Sequence, residues 1–174
     1  MYVFSKLKLV VNKTYIYNPK QVSMFTKLLK ELEASLHHAK KNAPAVSHRG
    51  VDWHLDHTLK IINSICETLK KSNPDEFKPK FSLMKSFILF TGYIPRGKGK
   101  SPAPFNNKGT IDEENLKVLL QEAKESLESL DDLPQNSHFP HPYFGSLNLK
   151  QAKKFIAIHS NHHLKIIKDI VSKS

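Results

Sequence analysis

Apolar residues recur at three- and four-residue spacing over several long stretches of the chain, which is the pattern of amphipathic helices. The first stretch follows Asn18-Pro19, where a capping residue precedes a proline suited to the first helical position. It predicts a helix over about residues 19–41, ended by Pro44. A second stretch predicts a helix from about Val51 to Lys71, closed by the Ser-Asn-Pro turn at 72–74.

Two further periodic stretches begin with capping boxes, in which the cap residue and the residue three positions later bind each other's backbone N–H groups. The box TIDE at 110–113 predicts a helix that runs through about Leu130. The box NLKQ at 148–151 predicts a last helix over about 149–171. The periodicity therefore predicts four long helices.

Shorter segments complete the predicted architecture. Lys80 to Phe90 is apolar enough for a short buried helix. Proline and glycine predict a long crossover at 91–109, between the second and third long helices, and a loop at 131–145. No segment shows a strand or hairpin pattern. We therefore predict an all-α four-helix bundle with one extra short helix, a single domain at 18–174, and an N-terminal arm at 1–17 whose structure the pattern leaves open.

The composition fits one ordinary domain, with 174 residues, 19.9 kDa and 39% hydrophobic residues. Cys66 is the only cysteine, so no internal disulfide can form. Lys6 and Lys8 interrupt the short apolar run at the N-terminus, which makes it a poor signal peptide. No apolar stretch approaches the ~18 residues of a membrane-spanning helix. We therefore expect a cytoplasmic protein with no membrane partner.

The net charge of +11 raises the question of nucleic acid as a partner, because clustered cations release counterions from phosphates. The lysines, however, are spread along the whole chain. Only Arg49 and Arg96 are arginines, the side chain that makes bidentate contacts with guanine and phosphate. We therefore expect no nucleic acid partner and interpret the charge as a solubilising surface that could attract anionic substrates.

Two of the ten histidines share the apolar face of the last predicted helix. His159 and His163 fall within its apolar arc, whereas Lys153 and Ser160 fall on the opposite, solvent side. An i, i+4 pair has Cβ atoms about 5–6 Å apart, so both rings can reach one cation. The alternative is a pair of core histidines that hydrogen-bond to separate partners. The motif HSNHH has no glutamate after its first histidine, which argues against a zincin-type protease.

A third ligand is available from the second predicted helix, which contains His54 and His57. Helical periodicity mildly prefers His54 as the buried residue and puts His57 at the border of the apolar arc. A border position beside Trp53 nevertheless suits the wall of a solvent-open pocket. The periodicity therefore leaves the choice between the two histidines open.

These residues carry a resemblance to the DinB/YfiT-like family of four-helix-bundle metalloenzymes, and in particular to an uncharacterised branch of it. The resemblance covers nearly the whole chain from about Gln21. The segments that carry it are WHLDHTLK at 53–60, IPRGKGKSP at 94–102, HPYFG at 141–145 and HSNHHLKII at 159–167. The chain differs from the common family pattern, in which a Trp-Ser pair precedes the metal histidine by about two turns, because Arg49 and Gly50 occupy those positions.

The resemblance implies a three-histidine site made by His57, His159 and His163, which would bind a divalent metal, Ni²⁺ or Zn²⁺ first of all. Three neutral imidazoles leave the ion its full charge, so it can lower the pKa of a bound water or thiol. The family includes thiol S-transferases that use low-molecular-weight thiols, so we expect a thiol transferase or hydrolase with a small-molecule substrate. The alternative is a non-catalytic metal- or ligand-binding bundle, and a homodimer is a further expectation.

Other residues are secondary candidates for the site. His141 and His54 are the candidates for a catalytic group, and His141 would line the mouth of the site unless its segment is only a rigid turn that buries Phe144. Cys66 is interpreted as a buried structural thiol. Asp56 and Glu67 are candidates for carboxylates that orient a ligating imidazole. A clamp for an anionic substrate could be formed by Tyr93, Arg96, Lys98 and Lys100. A solvated surface explains each of these residues as well.

Overall fold

The periodic stretches fold into helices in a computed structural model of the protein, which describes residues 19–97, 105, 106, 109 and 111–174. The described residues are mostly helical, with a small two-stranded sheet. The helices are α1 (Pro19–Ser35), α2 (Val51–Lys71), α3 (Leu83–Thr91), α4 (Glu113–Glu128) and α5 (Leu149–Val171), and the strands are β1 (His138–His141) and β2 (Gly145–Asn148). The predicted N-terminal arm at 1–17 lies outside the described residues.

The long helices begin and end close to the predicted positions. The bounds of α2 and α5 agree with the prediction, and both halves of the capping box of Asn148 and Gln151 are formed at the start of α5. The first helix is shorter than predicted, because α1 ends at Ser35 and a 3₁₀ turn, Leu36–His38, follows it. Thr110, the predicted cap of α4, lies outside the described residues, and the N-cap of this helix is Asp112.

The segment before α5 contains a hairpin where the sequence predicted only a loop. β1 and β2 pair antiparallel, with His138 opposite Asn148 and His141 opposite Gly145. Gly145 has φ +70°, a left-handed conformation that glycine adopts at little cost. Each strand has only four residues and β1 contains Pro140, so neither shows the alternation by which a strand is recognised.

The sequence predicted a short buried helix near residues 80–90. The helix is present as α3, but the prediction that it is buried is wrong. Only Lys85 and Ile88 of α3 are buried, and Phe90 is 89% exposed. Other large apolar side chains of this region are exposed as well, and they are Phe81, Leu83, Met84, Phe87 and Tyr93. Apolar content alone predicted burial, but α3 contacts α5 along one side only and leaves most of its surface uncovered.

The main core lies where α2 packs against α4 and α5, with α1 in contact with α4 and α5. Its fully buried side chains are mostly leucine and isoleucine. Ser160 and Lys153 of α5 were predicted on the solvent side and are buried instead. Several elements cover α5, and Lys153 reaches Asp131 at 2.8 Å while its aliphatic stem is covered. Among the described helices, none is both long and apolar enough to cross a membrane.

Candidate metal centre and adjoining pocket

Three histidines from two neighbouring helices converge in the core. α2 supplies His57, and α5 supplies His159 and His163 from one face, one helical turn apart. One ring nitrogen of each histidine lies within 4.8 Å of the nitrogens offered by the other two. His57 and His163 are buried, whereas His159 keeps part of its surface open. The structure therefore brings together the three histidines that the family resemblance implied as ligands.

The proton of the His57 ring is located by its hydrogen bond to the crossover. Nδ1 of His57 lies 3.0 Å from the carbonyl oxygen of Phe105, and a carbonyl oxygen only accepts. Nδ1 therefore donates, and in the neutral ring Nε2 carries a lone pair. Trp53 stacks on the same ring at 4.8 Å between centroids, with 5° between the planes. These two contacts fix the orientation of the imidazole.

The separation of His57 and His159 is compatible with a shared ion. Their Nε2 atoms lie 3.3 Å apart. Two imidazole nitrogens each about 2.0–2.1 Å from one ion, at a tetrahedral angle, are about 3.3–3.4 Å apart. The distance also permits a direct hydrogen bond, so the fit of a metal rests on the whole donor set of three nitrogens rather than on this pair alone.

The third histidine, His163, is held from behind by a chain of hydrogen bonds. Its Nδ1 lies 2.9 Å from Nδ1 of His54, and Nε2 of His54 lies 3.1 Å from Oγ of Ser47. Both nitrogens of His54 therefore already have partners, Nδ1 in His163 and Nε2 in Ser47. Of the two histidines between which the sequence left the choice open, His57 offers a nitrogen within 4.8 Å of those of both His159 and His163, whereas His54 contacts His163 from behind.

Burial keeps the cluster neutral. Removal from water lowers the pKa of His159 and His163 well below the ordinary value, and mutual repulsion among the neighbouring imidazolium forms lowers both further. Burial also lowers the pKa of His57, although the Phe105 carbonyl and Asp56 oppose the shift. Neutral imidazoles are the form that binds a divalent metal. The donor set therefore fits Zn²⁺ or Ni²⁺ in type and in protonation state.

A pocket of about 640 Å³ adjoins the three histidines. Most of its wall is aromatic or aliphatic, and the other polar side chains that line it are mainly His141 and His162. No Asp, Glu, Lys or Arg is among its described lining residues. The apolar lining residues come from α2, α3, the crossover, the hairpin and α5, and include Ile61, Ile65, Phe87, Ile88, Ile94, Phe105, Phe139, Phe144 and Phe155.

His141, a candidate for the catalytic group, lines this pocket from the end of β1. Its ring stacks on Phe144 at 3.9 Å between centroids and meets Phe155 edge-on at 4.8 Å. Burial lowers the pKa of His141 to about 4. Its Nδ1 accepts a hydrogen bond from the Tyr143 N–H at 3.2 Å, so the neutral ring carries its proton on Nε2. Phe144 is buried, as the alternative interpretation of this segment also predicted.

The remaining candidates lie away from the cluster or contribute little to it. Asp56 is buried and pairs with Lys60, whereas Glu67 is exposed and pairs with Lys71. Burial raises the pKa of Cys66 to about 12, which agrees with a structural thiol. Of the residues predicted as an anion clamp, Tyr93 is exposed and Arg96 pairs with Asp169 at 2.7 Å. Lys98 and Lys100 lie outside the described residues.

Two contributors to the site were not found from the sequence. The Phe105 carbonyl orients His57, but any residue supplies a carbonyl, so the sequence carries no signal for it. Ser47 supports His54 from the loop before α2, and no pattern in the sequence signals a contact between a loop serine and this histidine. Comparisons with protein-family models, with curated proteins and with solved structures give no match to this chain.

Proposed function

We propose that the chain is a divalent-metal-dependent enzyme, a thiol S-transferase or hydrolase that acts on a small molecule. The observation that carries the proposal is the convergence of His57, His159 and His163 beside a pocket of about 640 Å³. A metal site next to a pocket is the arrangement of a catalytic metal rather than of a closed structural one. The resemblance to the DinB/YfiT-like four-helix bundle supports the same proposal.

Each group of the chain has a defined role in this proposal. His57, His159 and His163 would hold the ion, Ni²⁺ or Zn²⁺ by the type of donor. When bound, a divalent ion supplies a positive charge that lowers the pKa of a water or thiol beside it. The Phe105 carbonyl orients His57, and His54 orients His163. The apolar pocket excludes water and places the substrate next to the histidines.

His141 is the group proposed to hydrogen-bond to the substrate. It lines the pocket, and its neutral ring carries a proton on Nε2 because Nδ1 accepts from the Tyr143 N–H. That proton can be donated to an oxygen of the substrate. His54 does not fit this role, since both of its nitrogens already have partners in Ser47 and His163.

The second candidate function is a non-catalytic metal- or ligand-binding protein. It is favoured by the absence of any carboxylate among the described residues that line the pocket, so that no Asp or Glu is at hand as a general base. The two candidates share the metal site and differ in turnover. A screen of thiol transfer and ester hydrolysis with the metal-loaded protein separates them.

Elemental analysis of tag-free protein, after exposure to limiting mixed divalent metals, tests the metal site. We expect about one ion per chain in the parent and almost none in the His159→Ala and His57→Ala variants, since each removes one of three ligands. His37→Ala is the matched control, because His37 is exposed and distant in sequence from the cluster. No stoichiometric metal in the parent, or equal loss in the control, would overturn the proposal.

A further inference from the structure

The walls of the pocket indicate what it binds besides a metal. Aromatic side chains reach it from α3, the crossover, the hairpin and α5, as Phe87, Phe105, Phe139 and Phe155. Met84 and Phe87 on α3 are more than half exposed, so the wall remains apolar where it meets solvent. Removing an apolar surface of this kind from water is favourable when the body that covers it is also apolar.

Without a bound metal, the described residues that line the pocket offer no ionised side chain that would compensate a charge on that body. Its described lining residues include no Asp, Glu, Lys or Arg. Arg96, which lies between the lining residues Pro95 and Gly97, is paired with Asp169 at 2.7 Å. An ionised group placed against these walls would lose its water without gaining a partner. The chain carries a net charge of +11, but no lysine or arginine is among the described residues that line this pocket.

Three of the five histidines among the described lining residues are grouped in one part of the pocket. His57, His159 and His163 lie together, and Trp53 stacks on His57. The indole Nε1 of Trp53 is buried and has no hydrogen-bond partner among the described residues. Away from these groups, Phe155 separates His159 from His141, with ring centroids 5.7 Å and 4.8 Å from the two histidines. The complementary ligand therefore has a polar group at the three histidines and an aromatic body along the apolar wall, with His141 as a further hydrogen-bond donor.

We infer that the site takes a neutral small molecule with a bulky aromatic or aliphatic body, whose single polar reacting group faces the three histidines. The inference deepens the proposed function and rests on it, since it names the class of the substrate that meets the activated thiol or water. The volume of about 640 Å³ lies in the range of sites for small molecules and is large enough for a body of more than one ring.

Binding of two matched probes to the metal-free full chain tests the inference. The probes are 6-bromo-2-naphthol, which is neutral at pH 7.5, and 6-bromo-2-naphthoate, which carries a charge on the same ring system. Calorimetry gives the affinities, and fluorescence gives the location because Trp53 is the only tryptophan and lines the pocket. We expect the naphthol to bind at least about 10-fold more tightly and to quench Trp53, since the charge must be buried unpaired.

Charged substitutions on α3 separate the pocket from the exposed apolar surface around it. Phe87→Asp places a carboxylate in the pocket wall, and Met84→Glu does so at a second position. Phe81→Asp is the matched control, because Phe81 is also exposed but does not line the pocket. We expect the two wall variants to weaken naphthol binding by about 10-fold or more, and the control to change it by less than about twofold.

The outcomes distinguish this inference from the proposed function. Equal or tighter binding of the naphthoate would overturn the substrate class, and so would equal losses in Phe81→Asp and Phe87→Asp, which indicate adsorption to the surface of α3. Either result leaves the metal proposal to be decided by elemental analysis. Selective naphthol binding by a protein that binds no metal would support the class of ligand and overturn the enzyme proposal.

Discussion

His54 and His57 show how two histidines of one helix acquire different roles. Both are buried on α2, but His57 meets His159 through Nε2, whereas His54 meets Nδ1 of His163. If Nε2 of His163 holds a metal, its Nδ1–H donates to His54, and the proton of His54 then lies on Nε2 and faces Ser47. His54 is therefore a positioning residue for His163.

The replacement His54→Ala is expected to weaken metal affinity by roughly 10- to 100-fold while the stoichiometry stays at one, because the ligand set is intact but His163 loses its orienting partner. His54→Gln should recover part of the loss, since its carbonyl oxygen can accept from Nδ1 of His163. Competition with a chelating dye measures both. If His54→Ala binds no ion even at high metal concentration, His54 is itself a ligand and this assignment of roles is wrong.

Helical periodicity could not choose between these two histidines for a physical reason. It reports which face of α2 is apolar, and both residues lie on or beside that face. Which of them meets His159 depends on the position of α5 against α2, a contact between residues about a hundred positions apart. The resemblance of the motifs supplied that information, and the spacing within α2 did not.

At the scale of elements, the start of α5 sets the position of the candidate ligands. The side chain of Asn148 accepts from the Gln151 N–H at 3.0 Å, and the Gln151 side chain accepts from the Asn148 N–H at 3.2 Å. The cap residue Asn148 is also the last residue of β2, so the capping box fixes the junction between the hairpin and the helix that carries His159 and His163.

Loss of this cap is expected to destabilise the protein measurably. Asn148→Ala should lower the free energy of unfolding by about 1 kcal/mol, because the Gln151 N–H loses its side-chain acceptor and the capping box is broken. Asp112→Ala is the control, since Asp112 caps α4 without a side-chain hydrogen bond and should cost less than half as much. Urea unfolding at pH 7 compares the two. Equal losses would mean that the hydrogen bonds of the capping box contribute nothing beyond ordinary propensity.

The elements differ in how far the sequence predicts them. α2 and α5 have strong periodicity and local end signals, and both were predicted to their ends. The hairpin of β1 and β2 depends on pairing across a turn and on packing against α2 and α5, which leaves no alternation in HFPH. For α3 the composition predicted a helix correctly, but burial depends on what lies opposite, and Phe87 and Met84 face the pocket instead of a neighbouring helix.

At the scale of the whole molecule, the chain combines a strongly cationic composition with a neutral interior of histidines. The net charge of +11 counts every histidine as neutral. Burial lowers the pKa of His54 and His141 to about 4, and lowers the pKa of His57, His159 and His163 as well. Acid therefore adds charge to a core that lacks described carboxylate partners for it at the pocket.

The metal-free protein is therefore expected to lose stability as the pH falls below about 6.5. The unfolded chain takes up a proton on each histidine near that pH, whereas folded His141 resists protonation until about pH 4. The unfolded state thus binds more protons in this window, and the free energy of unfolding falls with pH by at most about 1.4 kcal/mol per pH unit for each such histidine. Above about 6.5 the contribution is complete.

Urea unfolding at pH 7, 6 and 5 measures how the free energy of unfolding changes with pH. The variant His141→Phe isolates the contribution of His141 to that change. Phenylalanine keeps the ring beside Phe144 and Phe155 but cannot be protonated, so the variant should lose less stability between pH 6 and 5 than the parent. His37→Gln, at an exposed position, should follow the parent. Parallel slopes for the parent and His141→Phe would show that His141 takes up its proton equally in both states, and burial would then not be what keeps His141 neutral.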